Sequence, residues 1–185
     1  MNKDARAPDD SPLASMADDE RELCGDLDIR IDRDGSWYYH GSLITRKELV
    51  CLFASVLTRD EAGDFWLITP TEMGRIEVED APFIAVEMFV GGLGNEQHLS
   101  FRTNVDTIVS VDSDHPIHMV TNGNTGESTP YLTVSPGMEA RIARSVYYEM
   151  VDLAVEEKVD GEPMFGVWST GTFFAMAAVD EAEHL

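Results

Sequence analysis

The segment RIEVEDAPFIAVEMF runs from Arg75 to Phe89, near the middle of a 185-residue chain. Ile76 and Val78 alternate with Glu77 and Glu79, the pattern of a strand with one buried face. Asp80-Ala81-Pro82 interrupts that pattern, and a more continuous apolar run follows from Phe83. Pro82 has no backbone N–H to offer a ladder, so the segment predicts two strands with a kink, bulge or strand start between them. A seam between two halves of the molecule is expected at this kink, with the segment closing the sheet of the first half.

Upstream, Leu27, Ile29 and Ile31 alternate with Asp28, Arg30 and Asp32 as a half-buried strand. Asp34-Gly35 supplies the positive φ of a tight hairpin turn, and Ser36–His40 returns as the second strand. Thr45 and Glu48 have capping-box spacing, and Leu49, Leu52, Phe53, Val56 and Leu57 recur at helical intervals, predicting a capped core helix that runs to about Thr58. Phe65–Thr69 then reads as a strand. Downstream, strands are expected near Gln97–Arg102, Asp106–Asp112, Ile117–Thr121 and Pro130–Val134. Ser135-Pro136 has the residue types of an N-cap and first helical position, and Met138, Ile142, Val146, Tyr147 and Met150 then predict a helix to about Leu153. Hairpins at Asp160-Gly161 and around Ser169-Thr170-Gly171 complete the chain. The two halves thus share an order of elements: strands, one amphipathic helix, further strands. The expected fold is α+β, with two related β-rich units each packed on one amphipathic helix. Residues 1–26 read as a flexible acidic arm, 27–92 as the N-terminal unit and 93–185 as the C-terminal unit.

Thirteen basic against thirty-five acidic residues give a formal net charge of −22. Such a chain repels phosphate backbones and anionic lipid head groups, so neither nucleic acid nor membrane is an expected partner. No run approaches about 18 consecutive apolar residues, and the first residues show no apolar signal core; a cytoplasmic location is expected. The two cysteines, Cys24 and Cys51, do not have the electropositive surroundings that activate a thiol.

Taken together, DGSWYYHGSLITRKELV (34–50), RIEVEDAPFIAVE (75–87), HPIHMV (115–120), PYLTVSPGMEARIARSVYYE (130–149) and GVWSTGTFF (166–174) resemble a bacterial family known as domain of unknown function 1285. The likeness runs from Asp26 to about Ala177. It implies an α+β fold with a duplicated helix-in-sheet motif, a second half loosely similar to pleckstrin-homology-like folds, a ligand site where the halves meet and a part in signalling. It implies no catalytic residue.

The chemistry-bearing residues do not assemble into a reaction. His115 and His118, with Asp112 and Asp114, are the nearest approach to a metal cluster, but an interval of three places two side chains on opposite faces of a strand. His40 could serve as a general base, yet no serine or cysteine motif accompanies it. Ser169 lacks the spacing of a nucleophile elbow and reads as a hairpin tip. Gly91-Gly92-Leu93-Gly94 is followed by no helix that would make it a phosphate loop. Glu77, Glu79 and Glu87 read as a solvated sheet face, whereas Asp80 is placed to cap a turn or to pair with an arginine across the seam, with Arg75, Arg102, Arg141 and Arg144 available.

These residues favour a non-enzymatic regulatory or signalling module that needs no cofactor. It would bind a small ligand, nucleotide-like ligands among the candidates, in a groove between its halves. The expected lining is Trp37, Tyr38 and Tyr131 with His40, Arg75, Asp80, Arg102 and Asn104. A metal- or histidine-dependent hydrolase and a scaffold for a protein partner are the alternatives. If Asp80 lies at the seam, Asp80→Ala will lower thermal stability or ligand affinity more than Glu77→Ala or Glu79→Ala. Equal, negligible changes in the three melting curves would show the kink to be an ordinary strand end.

Overall fold

The computed structural model describes residues 22–179. The expectations for the acidic arm before residue 22, for the acidic end after residue 179 and for His184 lie outside these residues. The structure is mainly β, with two α-helices and one short 3-10 turn, Gly94–Glu96, among the described residues.

The first sheet contains β1 (Glu22–Ile31), β2 (Trp37–Tyr39), β3 (Ser42–Leu43), β4 (Leu57–Arg59), β5 (Phe65–Ile68) and β6 (Glu72–Val78), with α1 (Lys47–Ser55) between β3 and β4. Its order is β3-β2-β1-β6-β5-β4. Two antiparallel meanders are therefore joined by one parallel pair, in which Asp26 lies opposite Arg75 and Ile31 opposite Val78. The second sheet repeats that plan with β7 (Phe83–Gly91), β8 (His98–Thr103), β9 (Ile108–Ser110), β10 (Ile117–Thr121), β11 (Ser128–Ser135) and β12 (Met138–Ile142). Here β7 and β12 are the parallel pair, in the order β10-β11-β12-β7-β8-β9. After α2 (Arg144–Val151), the strands β13 (Val155–Val159), β14 (Glu162–Ser169) and β15 (Thr172–Ala178) make a separate antiparallel sheet.

One apolar cluster runs through all of it. Ile29, Ile31 and Ile76 enter from the first sheet, Phe83, Leu99, Phe101 and Leu132 from the second, Met150 from α2, and Val167 and Phe174 from the third. Each such side chain contributes about 1.5–3 kcal/mol on burial, so the core ties the three sheets together as firmly as any hydrogen bond between them.

Several expectations need correction. Glu79–Pro82 is indeed the seam, but β6 belongs to the first sheet and β7 to the middle of the second. Arg75–Phe89 therefore joins two sheets instead of closing one, and the change of sheet comes before β7, not after Gly92. The first strand begins at Glu22, inside the stretch assigned to the arm. The Thr45–Glu48 capping box does not form: the N-cap of α1 is Arg46, without a side-chain cap bond. The helix also ends at Ser55, and none of its residues is fully buried; Leu52 is 60% exposed, while Leu57 already begins β4. Val50, Cys51, Phe53 and Ala54 are the half-buried residues that pack on the core. The helix expected from Pro136 starts only at Arg144. Gly137, at φ +74°, turns the chain back from β11, and Met138–Ile142 alternates inward and outward as a strand.

Ser169 is not the expected hairpin tip but the last residue of β14, before the turn at Thr170-Gly171, and it is fully buried. Its hydroxyl donates to the Val111 carbonyl at 2.7 Å and accepts from the Leu99 N–H at 3.0 Å. Gln97 adds a bond from its side-chain amide to the Trp168 carbonyl at 2.9 Å. These contacts fasten the β14–β15 hairpin to β8. Ser169→Ala leaves the Leu99 N–H unpaired, while the Thr170 hydroxyl still donates to the Val111 carbonyl at 3.1 Å, so it should destabilise by about 1–3 kcal/mol in denaturant unfolding. A change within about 0.5 kcal/mol would place the docking energy elsewhere.

Candidate functional site

An open groove of about 680 Å³ lies over the outer face of the central β1–β6 pair. Strand alternation creates its character. Ile29, Ile31 and Ile76 point into the core, so Asp28, Arg30, Arg75 and Glu77 are left on the other face. Asp64 and Arg59 approach from the β4–β5 side, Tyr38 from β2, and Asp80 from the seam.

The arginines of this groove are already engaged. Arg75 Nε donates to Asp26 at 2.6 Å, and its Nη1 lies 3.6 Å from Asp64. That hydrogen bond, followed by the Coulomb attraction, holds the Asp26 carboxyl below its ordinary pKa and Arg75 above its own. Arg30 pairs with Glu79 and lies 4.6 Å from the centre of the Tyr38 ring. Arg59 covers Phe65 and donates to the carbonyls of Gly63 (3.2 Å) and Gly137 (3.4 Å). Five carboxylates against three arginines leave the lining net acidic.

Asp80 connects the groove to the second sheet. Its carboxylate accepts the Tyr131 phenol at 2.7 Å and faces Arg141 Nε at 3.6 Å. Burial, then this hydrogen bond, push Tyr131 up to about 12, so the phenol remains a donor. Arg141 in turn donates to the Arg33 carbonyl at 2.6 Å, and Asn104 donates to the Gly35 carbonyl at 3.1 Å while accepting the Ile84 N–H at 3.0 Å. The β1–β2 turn is thus held from the second sheet. Gly35 has φ +74°, and a Cβ there would come within 2.6 Å of Ile84 and 2.7 Å of Asn104. Only glycine fits both the backbone and the space.

Of the residues expected to line a groove, Tyr38, Arg75 and Asp80 do so, and Tyr131 reaches it through Asp80. Trp37 does not: it is 1% exposed and stacks on Phe53 with ring centres 6.1 Å apart. Asn104 is a structural clamp. Arg102 lies on the second sheet between Glu87 (2.6 Å) and Asp106 (3.1 Å). His40 is exposed at φ 47°, with Nδ1 2.7 Å from Asp28, beside the groove rather than in it. His115 and His118 have different partners, Asp112 at 3.0 Å and Glu139 at 3.3 Å. Among the described residues, no three His, Cys, Asp or Glu side chains gather in a metal-holding arrangement. Arg30, Arg59 and Asp64 were missed from sequence; alternation with Ile29 and Ile31 was the available signal for Arg30.

Taken as a class, this is a β-rich protein of three sheets with a mixed-charge groove over the central strands of the first, and no described histidine bonds a serine, threonine or cysteine. No helix among the described residues is long and apolar enough to cross a membrane. The profile of the N-terminal domain of unknown function DUF1285 matches residues 18–81, and that of the DUF1285 C-terminal domain, a protein of unknown function, matches residues 82–176. The chain belongs to the DUF1285 family. Their junction, between Ala81 and Pro82, coincides with the change of sheet. A DUF1285 family protein from Silicibacter pomeroyi is similar in structure, with 40% identity over 97% of this chain and 93% of that chain and a TM-score of 0.81. Another from Shewanella baltica has 26% identity over 68% of this chain and 91% of that chain, with a TM-score of 0.53. No curated protein matches.

The Tyr131–Asp80 bond makes a prediction about pH. Because the folded phenol titrates above its ordinary value of 10.0, its contribution to stability is full below about pH 10 and is lost as pH rises toward about 12. The ultraviolet difference titration between wild type and Tyr131→Phe should show one phenol ionising near 12, and Asp80→Asn should bring it down toward 10. A wild-type midpoint at the ordinary value would mean the bond does not form in solution.

Proposed function

We propose that the protein is a non-enzymatic regulatory module that binds a small polar ligand in the β1–β6 groove and transmits occupancy to its second half through Asp80. One observation carries this reading. Asp80 lines the groove and, in the same position, accepts the Tyr131 phenol and faces Arg141 from the second sheet. A ligand that engages this carboxylate competes with both partners, so its binding free energy acts directly on the seam.

The lining favours a ligand that carries a cationic group. A nucleotide would have to displace Asp26 and Asp64 from Arg75 to seat a phosphate against a net acidic lining, whereas the cationic group of a small molecule is drawn by the excess of five carboxylates over three arginines. The related-unit organisation suits such a device: each half has its own sheet built on a central parallel pair, and a shift between two rigid sheets is a natural output. A cytoplasmic metabolite sensor is the role that fits this chemistry.

A thermal-shift screen should include amines, amino acids and other zwitterions beside nucleotides and cyclic dinucleotides. A ligand at one hundred times its dissociation constant adds about 2.7 kcal/mol of stability, a readily measured shift. Asp80→Asn should abolish the shift caused by any hit, whereas Arg75→Ala, which frees Asp26 and Asp64, should enlarge it. No stabilising compound in the cationic and zwitterionic classes, or hits indifferent to both substitutions, would overturn the proposal.

A further inference from the structure

The strand β13, of sequence VEEKV, forms one edge of the third sheet, and all five of its residues are exposed. Among the described residues, no strand pairs with its outer side. On its inner side it runs antiparallel to β14, with Glu157 opposite Met164 and Lys158 opposite Pro163. Pro163 determines which backbone groups face outward. It has no N–H, and its carbonyl accepts the Val179 N–H, on the side of β15, at 3.1 Å. Its polar edge is therefore turned away from β13, and Lys158 sits in a non-hydrogen-bonded pair. By the alternation of an antiparallel ladder, the N–H and C=O groups of Glu156 and Lys158 point to the open edge. Their side chains share one face of the strand, while Val155, Glu157 and Val159 share the other.

We propose that a second copy of this chain pairs antiparallel along β13, centred on Glu157. In that register, Glu156 of each copy lies opposite Lys158 of the other, and each of these two pairs can exchange both backbone hydrogen bonds. Val155 lies opposite Val159, also twice, on the second face. A two-fold register centred on Glu156 sets glutamate against glutamate, and one centred on Lys158 sets lysine against lysine. A lysine on an edge strand commonly discourages pairing; here its complement is present in the same strand. The product is a continuous six-stranded sheet across two molecules. Glu157 meets itself at the centre, and each copy carries a formal net charge of −22, so the association is weak and appears at high protein concentration.

Cysteine substitution tests the register. At the centre of a non-hydrogen-bonded antiparallel pair the Cα atoms are about 4.5 Å apart, within disulfide reach. Full-length Glu157→Cys should form a covalent dimer under mild oxidation above the wild-type background, whereas Glu156→Cys, which faces Lys158 of the second copy, should not. In sedimentation equilibrium, Lys158→Glu should weaken the dimer about tenfold or more, and the exchange Glu156→Lys/Lys158→Glu should restore it. A wild-type chain that stays monomeric at its highest soluble concentration, equal crosslinking at both cysteine positions, or a dimer indifferent to Lys158→Glu would each overturn the proposal.

Discussion

Two parallel strand pairs, β1 with β6 and β7 with β12, govern the rest of this structure. Parallel partners cannot be joined by a tight turn, so each pair closes a long loop of chain, and everything inside that loop must fold back as meanders on either side. The first pair sets Asp26 and Arg75 opposite each other and so founds the groove. The second places β7 in the interior of its sheet directly after β6 has ended the first. The few residues between, Glu79 to Pro82, have to carry the chain from one sheet to the other, and Asp80 is held there by groups from the second sheet.

The acidity of the protein has a local consequence. With carboxylates so numerous, the arginines on the outer sheet faces do not stand open to anions. Arg75 and Arg102 are each held between two carboxylates, and Arg30 between Glu79 and the Tyr38 ring. These pairs are exposed and each is worth little to stability. Their effect is local: an anion that approaches Arg30, Arg75 or Arg102 meets a carboxylate already in place.

Much of the local structure was legible. The alternation of Leu27–Ile31 and Ile76–Val78, the Asp-Gly turns at residues 34–35 and 160–161, and the break at Pro82 all stand where period and turn chemistry put them. The second helix was misread for a specific reason. Met138, Ile142, Val146 and Met150 recur every fourth residue, and an interval of four is even; it satisfies the two-residue period of a strand as well as the face of a helix. The pattern therefore runs unbroken through β12 and α2. Gly137 marked the distinction, since at positive φ it ends a hairpin turn. Thr45 and Glu48 failed as a capping box because their spacing permits the bonds without requiring them.

Trp37 shows the corresponding limit for the site. Beside Tyr38 and Tyr39 it reads as one of three aromatics fit to line a groove, yet β2 turns it inward against Phe53 and leaves Tyr38 to Arg30. By itself the sequence determined the mainly local features: most strands, the tight turns, the presence of two helices, the seam at Asp80–Pro82 and the family. Only the tertiary structure decided that β6 and β7 part into different sheets, that Asn104 and Ser169 are clamps, and that Asp80 meets Tyr131 and Arg141. Those contacts join residues fifty or more positions apart in several cases, and sheet membership depends on pairing between such distant strands. Neither leaves a mark in the period of a single segment.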